Sequence, residues 1–261
     1  MPLTYASYLE LDELLDLQHP RSEPPEHDEM LFIVIHQTYE LWFKLLLHEL
    51  EKVGRDFRAG EQWAAVHTLK RCRTIMKTLV GQLDILETMT PTSFRSFRDR
   101  LETSSGFQST QFRELEFLLG YKRPGVMKLA GIESGVGWEQ AIRRLEEPSL
   151  IDHFHAFMAG EGADIPADVL DRDLREPNGP DERVQDELVR LYLERPDLAN
   201  LIELMTDFDE GLQEWRYRHV KMVERTIGDK IGTGGSPGVE FLRKSLFKPA
   251  FPDLWAIRAR L

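Results

Sequence analysis

The chain has a single cysteine, Cys72. One thiol excludes an intrachain disulfide, cannot build a cysteine-rich zinc site and agrees with a reducing compartment. Cys72 sits beside Lys70, Arg71 and Arg73 in a helical pattern and reads as structural. Long hydrophobic runs are missing as well. The stretch around Leu41 to Leu47 is broken by Lys44, and no run approaches the roughly 18 residues of a membrane span. The N-terminus, with Glu10, Asp12, Glu13 and Asp16, has neither the basic start nor the apolar core of a secretion signal. Basic charge is in deficit, at a formal net charge of −12, which disfavours a nucleic-acid partner. The expectation is a soluble cytoplasmic protein with neither membrane nor nucleic acid among its partners.

Alternating strand patterns are also absent, whereas helical periodicity dominates the 261 residues. The spacing predicts a short helix over Tyr5 to Leu17 and long ones from Asp28 to Arg58 and from Gln62 to Thr88. After a break at Thr90-Pro91-Thr92 comes an amphipathic helix from Gln108 to Leu119, then several shorter ones within 123–159. Residues 160–180, rich in Pro, Gly, Asp and Asn, are expected as an exposed loop. A last long helix runs from Pro196 to about Lys230. The fold class is all-α, a bundle of long antiparallel helices in one domain spanning 1–261, and such bundles hold cofactors between facing helices.

Few residues in this pattern bear chemistry. His36 follows the apolar run Met30 to Ile35 on a helix that is apolar on most sides, with Phe32 one turn before it. A buried imidazole needs a hydrogen bond, a metal or a ligand, and a satisfied core histidine meets that need as well as a pocket wall does. His219 shares a helix face with Trp215 and Met222. That setting suits an axial ligand of haem iron, and equally a core position. The chain has no His-Glu-x-x-His and no paired Glu-x-x-His motifs, so a zinc or di-iron cage is not expected. His153 and His155, two residues apart, are expected on a surface or loop. The run Gly232-Thr233-Gly234-Gly235-Ser236-Pro237-Gly238 lacks the order of a phosphate loop. It reads either as a plain helix end or as a loop whose backbone approaches a ligand, with Thr233 and Ser236 as hydroxyl donors. Arg98 lies one turn after Phe94, which would place a two-pronged carboxylate donor beside an aromatic wall.

Four motifs occur in order: Phe32-x-x-x-His36-Gln37-x-Tyr39-Glu40-Leu41-Trp42-Phe43-Lys44; Phe97-Arg98 with Ser105-Gly106-Phe107-Gln108-Ser109; Trp215-Arg216-x-Arg218-His219 leading to Val223-Glu224-Arg225-x-Ile227-Gly228; and the glycine run ending at Gly238. Together they resemble the tryptophan 2,3-dioxygenase family, over about Tyr5 to Leu246. The resemblance implies a haem pocket within the bundle, with haem b, one per subunit, bound axially through His219. It implies L-tryptophan and O2 as reactants, cleavage of the indole C2–C3 bond and N-formyl-L-kynurenine as product, the first step of tryptophan catabolism by the kynurenine pathway. His36 would be the catalytic distal histidine facing the indole N–H, with Phe32, Ile33, Val34 and Ile35 as apolar walls. Arg98 would grip the amino-acid carboxylate and Thr233 would touch its ammonium and carboxylate, with Ser105 and Gly106 on the distal side of the haem. Tyr5, Tyr8 and Leu9, in the N-terminal element 1–20, would close a neighbouring subunit's pocket, which implies a homotetramer. Two rivals stand beside this reading: a related haem oxygenase acting on a modified tryptophan in biosynthesis, and a non-catalytic haem sensor. A carboxylate clamp and a substrate-covering element argue against the sensor.

One position departs from the resemblance. Some bacterial members carry tyrosine where this chain has Phe94. Phenylalanine keeps the wall and loses a hydroxyl donor to the carboxylate, leaving Arg98 and Thr233 to hold it. Phe94→Tyr is therefore expected to bind tryptophan more tightly, seen as a several-fold lower Michaelis constant. An unchanged constant would count against this role.

Overall fold

A computed structural model describes residues 2–129, 137–233 and 238–261. Ser236, named above as a hydroxyl donor, lies outside the described residues. Among those residues the structure is all-helical, with α1 (Tyr5–Leu9), α2 (Leu11–Leu15), α3 (His27–Ala59), α4 (Gln62–Leu86), α5 (Pro91–Phe97), α6 (Thr110–Leu118) and α7 (Gly125–Leu129) in its first half. The rest comprises α8 (Trp138–Glu146), α9 (Leu150–Gly160), α10 (Ala167–Leu170), α11 (Glu182–Glu194), α12 (Pro196–Ile227), α13 (Val239–Arg243) and α14 (Pro252–Ala256).

The three long helices make the frame. Asp28 and Glu29 in the first turn of α3 complement its dipole, and Gly60 closes its other end in the left-handed conformation at φ 73°. The two-residue link Gly60-Glu61 returns the chain antiparallel as α4. Leu46, Leu50 and Val53 of α3, Leu69, Cys72, Met76 and Leu79 of α4, and Leu201, Met205 and Phe208 of α12 recur every three or four residues and are buried. α12 packs along α4, and α4 along α3. The α12–α4 approach is close at Gly211, where a Cβ would come within 3.2 Å of Met76 Cβ. Behind α12, the buried Asp209 carboxylate accepts from Ala250 N, Phe251 N and Trp255 Nε1 at 3.0, 3.1 and 2.9 Å, anchoring the C-terminal segment.

The segment expected as one helix over Tyr5 to Leu17 is two, because Glu10 adopts the left-handed conformation at φ 49° between α1 and α2. Thr90 caps α5, its hydroxyl accepting from Ser93 N at 3.1 Å, with Pro91 in the first turn. α11 was not expected, although Asp181 caps it and Val184, Leu188 and Leu191 carry its apolar stripe. Residues 160–180 contain the short α10. An 18-residue window of α3 averages a hydropathy of 1.3, enough by length and composition to cross a membrane, which reading contiguous runs alone had excluded. In the fold this helix lies against α4, α6 and α9.

His153 and His155 correct the expectation of a surface or loop position. Both lie in α9, where His155 is buried with Leu150, Ile151, Phe154, Phe157 and Met158, whereas His153 is half-buried beside Arg58, so for His153 only the loop expectation fails. His153 Nε2 is 2.7 Å from Arg58 Nη1, and both ring nitrogens of His155 are buried with no partner among the described residues. Burial pushes the His155 imidazole down from the ordinary 6.5 to about 4. The unfolded chain therefore takes up that proton first, so the stabilisation is complete above about pH 6.5 and is lost between there and about pH 4. The loss should reach about 3 kcal/mol for this one group. In urea titrations at pH 7 and pH 4, His155→Leu should show a correspondingly smaller drop in stability than the unsubstituted protein.

Candidate functional site

A cavity of about 240 Å³ opens where α3, α5, α6 and α12 converge near the C-terminal end of α4. Phe32, His36, Tyr39, Glu40 and Phe43 face it from α3, an i, i+4, i+7 stripe. His36 Nδ1 lies 2.7 Å from the Phe32 carbonyl oxygen. A carbonyl can only accept, so Nδ1 carries the hydrogen and Nε2 keeps its lone pair. Burial pushes the His36 pKa below its ordinary value, so the neutral form is favoured. One turn on, Gln111 of α6 donates to the Glu40 carbonyl and carboxylate at 2.9 and 2.8 Å, fixing α6 beside the histidine.

Aromatic rings close the wall around His36. The Phe32 ring is 4.1 Å from the imidazole, 5.7 Å from Phe94 and 5.6 Å from Phe97, the last two meeting edge to face at 5.5 Å. This is an apolar slot with one lone pair aimed into it.

His219 lines the same cavity from α12. Trp215, one turn earlier, stacks on its imidazole at 5.1 Å and 9°, and Trp215 is itself held by Tyr39, Phe43 and Phe112 at 6.2, 6.1 and 5.0 Å. Burial, reinforced by the nearby His36 and Arg113, lowers the His219 pKa to about 4. Among the described residues no hydrogen bond holds this ring. The result is a neutral imidazole in a fixed plane, the form that ligates a metal. No group of three or more His, Cys, Asp and Glu that could hold a bare metal ion occurs among the described residues.

Polar donors gather at one side. Arg98 begins a 3-10 turn after α5, and its Nη2 donates to the Ile231 carbonyl at 2.6 Å. The Thr233 hydroxyl donates to the Ser104 carbonyl. These two bonds lay residues 231–233 over residues 98–104. Ser105 caps a second 3-10 turn, its hydroxyl accepting from Phe107 N at 3.3 Å, and Gly106 begins that turn. Arg98, Ser105, Gly106 and Thr233 all line the cavity. Gly238 lets the chain return, with φ 65° and a position where a Cβ would sit 2.7 Å from the Lys230 carbonyl oxygen.

The structure thus brings Phe32, His36, Phe94, Arg98, Ser105, Gly106, His219 and Thr233 to one cavity. Ile33, Val34 and Ile35, expected as walls, do not line it. At 100° per residue only Phe32 and His36 of that turn can point inward; Val34 is 42% exposed and Ile35 is buried in the core. Tyr5, Tyr8 and Leu9 do not line it either and are exposed at 77%, 71% and 40%. Sequence reasoning did not single out Arg113, Glu116, Arg123 and Arg216, which form a charged end of the cavity. The available signal was Arg216, three residues before His219 and hence on its face.

A family model described as tryptophan 2,3-dioxygenase matches residues 1–130 and 186–261. The chain is 54% identical over 260 residues to the tryptophan 2,3-dioxygenase of Herpetosiphon aurantiacus, covering 99% of this chain and 98% of the relative. It is 52% identical over 262 residues to that of Anaeromyxobacter dehalogenans, covering 99% and 96%. The corresponding protein of Kineococcus radiotolerans is 42% identical over 266 residues, covering 99% and 91%.

Because any side chain at 238 meets the Lys230 carbonyl at a left-handed φ, Gly238→Ala should lift residues 231–233 off residues 98–104. Limited trypsin digestion should then cut after Lys230 several-fold faster, with the melting temperature of the helical core unchanged. Cleavage at the original rate would show that the glycine is not needed there.

Proposed function

The chain belongs to the tryptophan 2,3-dioxygenase family, and from that membership we propose that it cleaves the indole C2–C3 bond of L-tryptophan with dioxygen, giving N-formyl-L-kynurenine. Both oxygen atoms enter the product, so the overall reaction needs no further reductant. The observation that carries the proposal is one cavity walled by Phe32 and Phe94, with His36 and His219 facing it and Arg98 and Thr233 beside it.

The residues present fit a haem. His219 offers a neutral, unencumbered imidazole in a plane set by Trp215, and the surrounding walls are largely apolar. His219 would hold the iron of haem b, one per subunit, which would supply the binding and activation of dioxygen that no side chain can provide.

The chain's own groups then bind and orient the substrate. Tryptophan is an apolar bicycle with a zwitterionic end, so it needs a slot and a charged anchor. Phe32 and Phe94 form the slot. The Nε2 lone pair of His36 accepts the indole N–H, with the tautomer held by the Phe32 carbonyl. The depressed basicity of this imidazole suits positioning, since the indole N–H is too weak an acid to surrender its proton to it. Arg98 presents its guanidinium to the carboxylate, and Thr233 its hydroxyl to the same end of the substrate. Tyr5, Tyr8 and Leu9 lie away from their own chain's cavity, which suits the role of closing a neighbour's pocket in a homotetramer.

The test is anaerobic reduction of the haem-loaded protein, then addition of tryptophan and air while ultraviolet absorbance reports N-formylkynurenine. His219→Ala should lose both the Soret band and the product. Arg98→Ala should raise the Michaelis constant roughly 10- to 100-fold, the loss of a charge-assisted pair. His36→Ala should slow turnover without abolishing it; complete loss with tryptophan affinity intact would make His36 an obligatory base. Haem binding without product would point to a modified tryptophan as substrate, and no haem binding would overturn the assignment.

A further inference from the structure

One end of the cavity carries more positive charge than its walls neutralise. Arg113 and Glu116 of α6, Arg123 from the turn that follows and Arg216 of α12 all line it. Arg113 Nη1 donates to Glu116 Oε2 at 2.6 Å, and Arg123 Nη2 to Oε1 and Oε2 at 2.8 and 2.7 Å. Arg216 Nη2 stands 3.7 Å from Glu116 Oε1, while its Nη1 donates to the Lys248 carbonyl at 2.9 Å. One carboxylate therefore serves three guanidiniums, and among the described residues no other carboxylate lies within ion-pair distance of them. Asp209 contributes a more distant negative charge, already engaged by three donors of the C-terminal segment.

The cluster is buried and rigid. The Arg113, Glu116 and Arg216 side chains are only 6%, 3% and 4% exposed. Tyr121 lies under the guanidiniums of Arg123 and Arg216 at 4.3 and 5.3 Å, and Phe112 under that of Arg113 at 4.9 Å. The Nε–H groups of Arg113, Arg123 and Arg216 are all buried without an acceptor among the described residues. Three unanswered donors and a surplus of about two positive charges are costly unless something anionic completes them. The completing group must bring two negative charges and an apolar body, because the adjoining walls are aromatic and aliphatic. Arg113 is also close enough to His219 for its charge to be felt at the imidazole, so the cluster and the axial position can serve one ligand.

We infer that Arg113, Arg123 and Arg216 receive the two propionate carboxylates of the haem, with Glu116 fixing the guanidiniums in place. The inference rests on the haem reading above and adds the orientation of the macrocycle: carboxylate edge toward α6, apolar edge toward the end of α4. Arg98 lines the same cavity without pairing to Glu116, and its remaining N–H groups stay available for the substrate's carboxylate.

The experiment is a Soret titration of the haem-free full-length chain with haem and, separately, with its propionate dimethyl ester, which keeps the ring and the iron but removes both charges. The expected result is at least tenfold weaker binding of the ester, a factor that shrinks several-fold in Arg123→Gln, whose partly exposed side chain can be changed without opening the core. Arg216→Gln, checked for retained helicity by circular dichroism, should shrink it likewise. Equal affinity of the unsubstituted chain for the two ligands would overturn the inference, as would discrimination unchanged in both variants. Absence of a Soret change with either ligand would overturn the haem reading itself, an outcome distinct from equal binding.

Discussion

The site depends on where α12 is held along α4. At 1.5 Å per residue this helix is about 48 Å long, and a slip of one turn would carry His219 about 5 Å out of the cavity. Its first half is fixed by Leu198, Leu201, Met205 and Phe208 in the core and by the close approach of Gly211 to Met76. Asp209, on the far side of the same turns, binds the C-terminal segment. Only past these anchors does α12 leave the close-packed core and line an open volume, with Trp215, Arg216, His219 and Met222. Close packing in one half of the helix is what permits a cavity beside the other half.

The cavity concentrates groups that are costly to bury. Two imidazoles are kept neutral by desolvation, and three guanidiniums share Glu116. On the proposed reading a neutral imidazole is the form needed at both places, one as a ligand and one as a hydrogen-bond acceptor, and desolvation favours that form. The guanidiniums have no such option, because arginine does not give up its proton under ordinary conditions. Their surplus positive charge is what a dianionic ligand would balance. Binding of such a ligand would couple to folding stability by mass action, so α6 and α12 gain from occupancy as well as from packing.

The long helices were legible because their apolar positions recur over many turns, and the ends matched where a physical stop exists, such as Gly60 after α3. Short elements were less so. Nothing in Tyr5 to Leu17 marks Glu10 as the residue that turns left-handed, and α11 was missed although Val184, Leu188 and Leu191 carry a clear stripe. For the site, the ordered motifs named His36, Arg98, His219 and Thr233, whereas spacing alone could not tell a cavity-facing histidine from a core one. Ile33 to Ile35 show why: residues adjacent in sequence share a motif but not a helix face. His155 shows the converse, since a two-residue spacing excludes a shared face without saying whether the second face is wet. The arginine cluster was illegible because its members come from α6, the following turn and α12, and only the fold makes them neighbours of one carboxylate.

Arg98 and Thr233 raise a last physical point about selectivity. In the fold Arg98 Nη2 and the Thr233 hydroxyl donate to the carbonyls of Ile231 and Ser104. A guanidinium has five N–H groups, so on the proposed reading a substrate carboxylate would add a charge-assisted pair at Arg98, and only the single hydroxyl hydrogen of Thr233 would have to change partner. An indole without the amino-acid end would gain neither contact. If Thr233 turned to the substrate, the Ser104 carbonyl would lose its donor, and the substrate's ammonium could replace it. A zwitterion can meet both needs, whereas a simple acid or a simple amine can meet only one, and discrimination for an amino acid over its fragments follows from that difference.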